Sequence, residues 1–168
     1  MWKIKLQSHN ANWKTRYQKE IALLQSFLST EIVSTHQIGS TVIRNIKAKP
    51  VIDILLEANS IQRLDAYNKK LIAIGYEVIG EFGVTGRRFY QKGGDNRTHH
   101  VPTYQRGNPE IERHIRFRDY ITNNRHKALE YEALKIKLCQ LFAQDPQSYS
   151  EGKSEFTKSI HKLLNTSD

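Results

Sequence analysis

The chain has 168 residues, of which 38% are hydrophobic and 26% are charged, proportions typical of a soluble globular protein with one domain. No apolar run approaches the roughly 18 residues that a membrane-spanning helix needs, and the first six residues alternate polar and apolar side chains, unlike a secretory signal. Cys139 is the only cysteine, which excludes an internal disulfide bond, so we expect a cytoplasmic protein that does not associate with membranes.

The formal net charge of +9 is concentrated in one part of the sequence. Residues 84–127 contain ten Lys and Arg residues against four Asp and Glu residues, which gives +6 in about a quarter of the chain. Such a concentration favours an anionic partner: a nucleotide, another phosphorylated small molecule or a nucleic acid. For any single one of these residues, a solvated basic surface is the ordinary explanation.

The first part of the chain predicts a strand, a helix and a second strand. Residues 2–7 alternate in hydrophobicity as a short strand does. Asn12 can cap a helix that continues to about Ser29, with apolar residues spaced by three and four positions. Residues 31–38 predict the first strand of the main sheet, which ends at a Gly-Ser dipeptide.

The middle of the chain predicts most of the sheet. After a short basic connector, Pro50 begins an apolar, β-branched strand that carries Asp53. Ser60 can cap a helix over residues 61–74, which Gly75 is well placed to end. Three strands then follow, the last two joined as a hairpin by Gly and Asn residues, over residues 76–81, 88–92 and 98–104.

The last third of the chain predicts helices. Asn108 and Pro109 are a cap and a first helical residue, and the helix they begin should continue to about Thr122. Further helices are predicted over residues 126–143 and 150–164. We therefore predict a single α+β domain over residues 1–168, with a mixed sheet in the sheet-rich part (31–104), flanking helices and a helical C-terminal part (108–165).

Two features suggest phosphate chemistry at the edge of the predicted sheet. Gly39 allows a tight turn and Ser40 offers a hydroxyl, and both suit the oxygens of a phosphate. Asp53 is an acid inside an apolar strand, where it needs a partner such as a metal ion or a basic group. The pair resembles the nucleotidyltransferase-fold signature, in which a Gly-Ser turn holds nucleotide phosphates and strand acids hold a divalent metal. Leu55 occupies the position where the signature has its second acid.

Several basic residues are further candidates, each with a plain structural alternative. His114 and Arg118 share one stripe of the helix after Asn108, where Arg118 could reach a phosphate or an internal carboxylate such as Asp119. His100 lies on a predicted strand and could be a metal ligand, a general base or a hydrogen-bonded structural residue. Arg88 is one of two adjacent arginines that strand alternation divides between the two sheet faces.

The sequence resembles the GrpB family over nearly its whole length, from Trp13 to Phe156. The motifs that carry this resemblance are His36-x-Ile38-Gly39-Ser40-Thr41, Ala48-Lys49-Pro50-x-Ile52-Asp53-Ile54, Arg87-Arg88-Phe89, His100-Val101, His114-x-x-Phe117-Arg118-Asp119-Tyr120, Ala128-x-x-Tyr131-x-x-Leu134-Lys135 and Tyr149-x-x-x-Lys153-x-x-Phe156. The resemblance implies a nucleotidyltransferase-like fold, related to a domain that some bacteria fuse to dephospho-coenzyme A kinase. It does not imply an established activity. Two departures are the Val42–Ile46 connector and Thr98, which stands where the family has a histidine.

The resemblance gives a set of candidate site residues. Asp53 is the expected metal ligand for Mg²⁺ or Mn²⁺, and it forms the catalytic group with His100 and His114. The expected phosphate- or nucleotide-binding residues are Gly39, Ser40, Lys49, Arg88 and Arg118.

Three functional hypotheses follow. The first is a metal-dependent nucleotidyltransferase, in which the basic residues neutralise developing phosphate charge. The second is a non-catalytic module that binds a nucleotide or phosphometabolite and acts as a sensor or an accessory to another protein. The third, ranked lowest, is an RNA-associated protein. A further acid close to Asp53, such as Glu57 or Asp119, would favour the enzyme, whereas a basic pocket without carboxylate partners would favour the binding module.

Overall fold

The computed structural model describes residues 2–166, which form one mixed sheet flanked by helices. The sheet has the strand order β1-β2-β5-β4-β3. Its central neighbours, β2 and β5, are parallel, and the other three adjacent pairs are antiparallel. The strands are β1 (Ile32–Ile38), β2 (Ile52–Ala58), β3 (Tyr76–Gly80), β4 (Arg87–Lys92) and β5 (His99–Gln105). The α+β mixed sheet predicted from the sequence is confirmed.

Three helices precede or interrupt the sheet and four follow it. They are α1 (Asn12–Leu28), α2 (Ile61–Leu64), α3 (Asn68–Ala73), α4 (Pro109–Asn123), α5 (Arg125–Phe142), α6 (Pro146–Gly152) and α7 (Ser154–Thr166). Asn108 caps α4 as predicted, because its side chain accepts a hydrogen bond from the Glu110 amide. Within residues 2–166, no helix is both long and apolar enough to cross a membrane.

The two faces of β2 explain how the sheet is covered. Ile52, Ile54 and Leu56 pack with Trp13 of α1 and with residues of α2 and α3 in the main core. Leu55 points to the opposite face, where it is fully buried against Ile38, Tyr104 and Ile111. The position that would hold a second strand acid is therefore part of the core beneath α4. Strand alternation places Asp53 on this same face, two residues before Leu55.

Residues 2–7 do not form the strand that their alternation predicts. Ile4 is buried beside Leu138 and Tyr149, and its amide donates to the carbonyl of Ala143 at the end of α5. Only Gln7 pairs in β fashion, with Ala48, as an isolated bridge. The alternation is real, but it reflects packing against helices instead of pairing at a sheet edge.

Three helix boundaries also differ from the sequence prediction. The side chain that accepts a hydrogen bond at the start of α1 is Asn10, which is bonded to the Asn12 amide. The predicted helix over 61–74 is interrupted by a 3₁₀ turn at Asp65–Tyr67, where Asp65 pairs with Arg88 of β4. The helix predicted over residues 150–164 is instead two helices, α6 and α7, and Asp145 caps α6 by accepting from the Ser148 amide.

Candidate functional site

A cavity of about 1060 Å³ lies on the sheet face from which Asp53 projects. Its walls come from the end of β1, from β2, β4 and β5, and from α5 and α6. The sheet contributes Gly39, Ser40, Asp53 and His100, while the helices contribute lysine and tyrosine side chains. The cavity is therefore built where the sheet-rich and helical parts of the chain meet.

The Gly39-Ser40 turn approaches Asp53 closely, and this approach requires glycine. Gly39 has a φ of +75°, a conformation that side chains disfavour. A β-carbon at this position would lie 2.4 Å from the Asp53 Oδ2 atom, well inside contact distance. The backbone turn and the carboxylate thus form one compact unit in the cavity wall. Ser40, the next residue, is hydrogen-bonded to the hydroxyl of Tyr131 on α5.

Asp53 is held as a carboxylate by His100. The two residues are register partners on the parallel strands, and Asp53 Oδ1 lies 3.5 Å from His100 Nδ1. The other ring nitrogen faces an Arg97 guanidinium nitrogen at 3.5 Å. Because a guanidinium can only donate, we assign the imidazole proton to Nδ1, which points to Asp53. Burial raises the pKa of Asp53, but the hydrogen bond from His100 and the charges of Lys49 and Lys153 bring this pKa below its ordinary value.

Three lysines line the same cavity as Asp53: Lys49, Lys135 and Lys153. Burial and the charge of Lys153 lower the pKa of Lys49 to about 8. Burial and the charge of Lys153 also lower the pKa of Lys135 to about 7, although its Nζ donates to the Lys47 carbonyl at 2.7 Å. The pKa of Lys153 is lowered by burial too, against the attraction of Asp53. The lysines are desolvated and repel one another, and such a site favours the approach of an anion.

Aromatic rings hold these lysines in place. Lys135 Nζ lies 4.9 Å from the ring centre of Tyr131, and Lys153 Nζ lies 4.9 Å from that of Tyr149. Lys49 Nζ lies 5.1 Å from the Trp2 ring and 5.2 Å from the Tyr149 ring. A ring face attracts an ammonium group without neutralising it, so the cations stay available for a ligand.

The charges along the cavity wall favour an anion over a metal ion. Five cationic side chains (Lys49, Arg87, Arg97, Lys135 and Lys153) face three acidic ones (Asp53, Asp95 and Glu151). Across the described residues 2–166, no three His, Cys, Asp or Glu side chains are grouped as metal ligands would be. Divalent magnesium prefers several oxygen ligands at one point, and the three acidic side chains of the wall are not grouped to supply them. The donor set therefore does not fit a metal ion held by the protein.

The structure brings together five of the candidate residues. Gly39, Ser40, Lys49, Asp53 and His100 all line the cavity. Gly39 and Ser40 follow β1, Lys49 and Asp53 lie just before and at the start of β2, and His100 comes from the neighbouring strand β5.

The other three candidates lie outside the cavity lining. His114 packs against Tyr104 at 6.0 Å between ring centres, and burial lowers its pKa. Arg88 makes a two-pronged ion pair with Asp65 at 2.8 and 3.1 Å. Arg118 donates to Asp119 at 2.8 Å and to the Gln37 carbonyl at 3.2 Å. Of the two partners considered for Arg118, a phosphate or an internal carboxylate, the structure shows the internal carboxylate, that of Asp119.

Further residues that were not among the predicted site residues also line the cavity. Two of them, Lys135 and Lys153, could have been identified from their spacing in the sequence. Tyr131 precedes Lys135 by four residues and Tyr149 precedes Lys153 by four, which is the spacing that brings helical side chains together. A lysine on the apolar stripe of a helix, four residues after a tyrosine, therefore indicates a lysine that packs against an aromatic ring. No comparable pattern distinguishes Arg97 or Trp2, which reach the cavity from loops.

Comparison with known proteins agrees with this description of the fold. The family model described as GrpB protein matches residues 3–163. The solved structure titled "Crystal structure of conserved protein GrpB from Enterococcus faecalis" aligns with a TM-score of 0.90 at 36% identity, covering 95% of this chain and 96% of that one.

Two relatives show how the chain compares in length. It is 34% identical to glutamate-rich protein GrpB of Alkalihalophilus pseudofirmus over 162 residues, 92% of each protein. It is 43% identical to UPF0157 protein YqkA of Bacillus subtilis over 163 residues, 95% of this chain and 47% of that protein. The chain thus spans about half the length of YqkA.

Proposed function

The chain belongs to the GrpB family, and we propose that it uses the cavity around Asp53 to bind a phosphorylated small molecule, either a nucleotide or a phosphometabolite. Residues of the family motifs supply the sheet side of this cavity. The helical side is supplied by Tyr131, Lys135, Tyr149 and Lys153, which belong to the same motifs.

Three desolvated lysines that share one cavity with Asp53 carry the proposal. Burying an ammonium group is unfavourable, and bringing Lys49, Lys135 and Lys153 to one cavity adds their mutual repulsion. A phosphate group would relieve both penalties, because its oxygens accept charge-assisted hydrogen bonds from ammonium groups. Ligand binding would then favour the protonated form of the lysines, and the hydrogen bonds they form would contribute to the free energy of binding.

The remaining residues have roles that follow from their positions. The Gly39-Ser40 turn presents a hydroxyl and backbone amides close to Asp53, so it would hold a phosphate oxygen opposite the lysines. Asp53 would orient Lys49 and Lys153 electrostatically, because its charge stabilises the protonated form of both lysines. His100 keeps Asp53 ionised. None of these roles requires a metal ion held by protein side chains.

Nucleotidyl transfer with Mg²⁺ or Mn²⁺ is the second candidate function. The observation in its favour is the contact between the Gly39 turn and an ionised Asp53 in the same wall. Neither Glu57 nor Asp119, the acids that would strengthen this candidate, lines the cavity. Leu55 is buried in the core instead of supplying a second ligand. We therefore place binding ahead of transfer.

Titration calorimetry tests the proposal with inorganic tripolyphosphate and ATP as probes. We expect both to bind the wild type and to bind Lys153→Gln about tenfold more weakly, because one charge-assisted hydrogen bond contributes about 1.5–3 kcal/mol. Arg118→Gln is the matched control, since Arg118 was a candidate phosphate ligand but is bonded to Asp119 and Gln37. We expect the control to bind like the wild type.

Two results would contradict the proposal. If Arg118→Gln loses affinity while Lys153→Gln keeps it, the phosphate lies against α4 and not in the cavity. If neither probe binds but a single-stranded RNA oligonucleotide does, the basic residues serve an RNA partner, which is the lowest-ranked hypothesis.

A further inference from the structure

The cavity that holds the lysines also has an aromatic wall contributed by the loop between β3 and β4. Phe82 and Phe89 both line the cavity, with ring centres 5.1 Å apart. Phe82 is 60% exposed, which is unusual for a large apolar side chain. Phe89 in turn lies 5.6 Å from the His100 ring, next to Asp53. A continuous set of ring faces therefore leads from the cavity edge to the carboxylate.

Both the backbone conformation and the exposure of Phe82 are unfavourable for the free energy of the folded protein. Its φ of +50° lies in the left-handed region, which is strained for a bulky residue. Its ring is also left largely in water instead of being buried. The next residue, Gly83, also has a positive φ, of +80°, which glycine adopts without strain. Residues that carry such costs cluster at ligand sites, where the bound state recovers them.

Arg87 shows that the loop is held in this conformation and is not loosely placed. Its guanidinium donates to the Glu81 carbonyl at 3.1 Å and to the Phe82 carbonyl at 2.6 Å. The same group lies 5.8 Å from the Phe82 ring centre and 5.1 Å from the Phe89 ring centre. The Glu81 carboxylate also accepts from the Gly86 amide at 2.6 Å. The loop is thus pinned at both ends with the Phe82 ring at the cavity.

We infer that Phe82 and Phe89 form a stacking site for a flat aromatic ring, so that the ligand is a nucleotide and not a phosphometabolite without a ring. This inference rests on the proposed function, because it assumes that the lysines hold the phosphates of the same molecule. The base stacks at the aromatic wall while the phosphates reach Lys49 and Lys153. Stacking on a ring face accepts any base, so the site selects nucleotides as a class.

Calorimetric titration with two probes separates the two halves of the site. ATP carries a base and a triphosphate, whereas inorganic tripolyphosphate carries only the phosphates. We expect Phe82→Ala to raise the Kd of ATP about tenfold, in line with the loss of one base-stacking contact. We expect the Kd of tripolyphosphate to change less than twofold. Ile72→Ala is the matched control, since Ile72 is 57% exposed but does not line the cavity.

A second variant guards against a purely structural effect. Phe82→Gly removes the ring and also the strain of a side chain at positive φ, so we expect its melting temperature not to fall. A variant as stable as the wild type that binds ATP tenfold more weakly supports the stacking site. Equal loss of ATP and tripolyphosphate affinity, or no loss of either, would overturn it. Failure of the wild type to bind tripolyphosphate would instead overturn the proposed function beneath it.

Discussion

At the scale of single residues, Gly39 and Asp53 are the pair that defines the cavity. Gly39 is needed for two independent reasons, its positive φ and its contact with the Asp53 carboxylate. Asp53 is needed because it is the one carboxylate in the wall that faces both His100 and the lysines. A substitution at either position therefore changes the charge pattern of the site as well as its shape.

Gly39→Ala tests whether this contact matters beyond backbone strain. We expect the variant to lose about 2–4 kcal/mol of unfolding free energy, from the left-handed φ and from overpacking against Asp53. Gly94→Ala is the control: Gly94 also has a positive φ, but its added β-carbon meets nothing within 4 Å, so about 1 kcal/mol should be lost. Chemical denaturation measures both values.

The same pair can be tested in a double variant. In an Asp53→Ala background the two nearest atoms to the new β-carbon, Oδ2 and Cγ of Asp53, are gone and the β-carbon of residue 53 remains at 3.2 Å. The cost of Gly39→Ala should therefore fall towards that of Gly94→Ala. If the cost of Gly39→Ala is unchanged in that background, the close approach is not the reason for glycine at this position.

The sequence predicted the site residues that lie in one continuous motif and missed those that come from distant elements. Gly39, Ser40, Lys49 and Asp53 fall within 15 residues of one another, so their spacing could be read directly. Arg118 was placed correctly on an inward stripe, but the partner it meets depends on the position of Gln37 in space. Arg97 reaches Trp2 and His100 through contacts that no local spacing reveals.

At the scale of elements, α5 and α6 are responsible for the basic side of the cavity. Lys135 lies within α5, one turn after Tyr131, and Lys153 directly follows α6, four residues after Tyr149; burial desolvates both lysines. Lys135 is 1% exposed, and its pKa of about 7 lies far below the ordinary value for lysine. Burying these lysines therefore lowers the unfolding free energy while they are protonated, and this effect depends on pH.

This cost gives a prediction for stability between pH 7 and pH 9. The unfolded chain keeps its lysines protonated in this range, while Lys135, and then Lys49 near pH 8, lose their protons in the folded state. Because the unfolded state binds more protons, the unfolding free energy should rise with pH, by about 3–4 kcal/mol over this range. Above about pH 10 the trend should reverse, since burial raises the pKa of Tyr131 to about 12.

Urea denaturation at pH 7, 8 and 9 measures the slope, and Lys135→Met provides the comparison. This variant removes the titrating group, so its stability should depend less steeply on pH even if it differs at every pH. Affinity for tripolyphosphate should fall over the same range in the wild type, because neutral lysines attract anions less strongly. An equal slope in the wild type and in Lys135→Met would show that Lys135 is protonated throughout.

The order of elements was easier to predict than their boundaries. The strand ending at Gly39-Ser40, the hairpin of β4 and β5 and the cap at Asn108 all have strong local signals, and each was predicted. The break at Asp65–Tyr67 has no such signal. Asp65 forms an ion pair with Arg88, which lies on β4, more than 20 residues later in the chain. Long-range pairing of this kind overrides local helix preference.

In the whole molecule, the sheet lies between the main hydrophobic core on one face and the cavity on the other. The main core lies on the face covered by α1, α2 and α3, and Ile52, Ile54 and Leu56 point into it. The opposite face holds the cavity and is completed by helices of the C-terminal part. The fold thus places its desolvated charges away from its largest hydrophobic cluster.

We propose that the cavity binds phosphate with its lysines and without a metal ion held by the protein. Calorimetric titration of tripolyphosphate in the presence of EDTA, and again with Mg²⁺, is the test of this proposal. We expect binding by the wild type in EDTA, with a Kd that Asp53→Ala changes less than Lys153→Gln does. Binding that appears only with Mg²⁺ or Mn²⁺ and is abolished by Asp53→Ala would contradict the claim and identify Asp53 as a metal ligand of a nucleotidyltransferase.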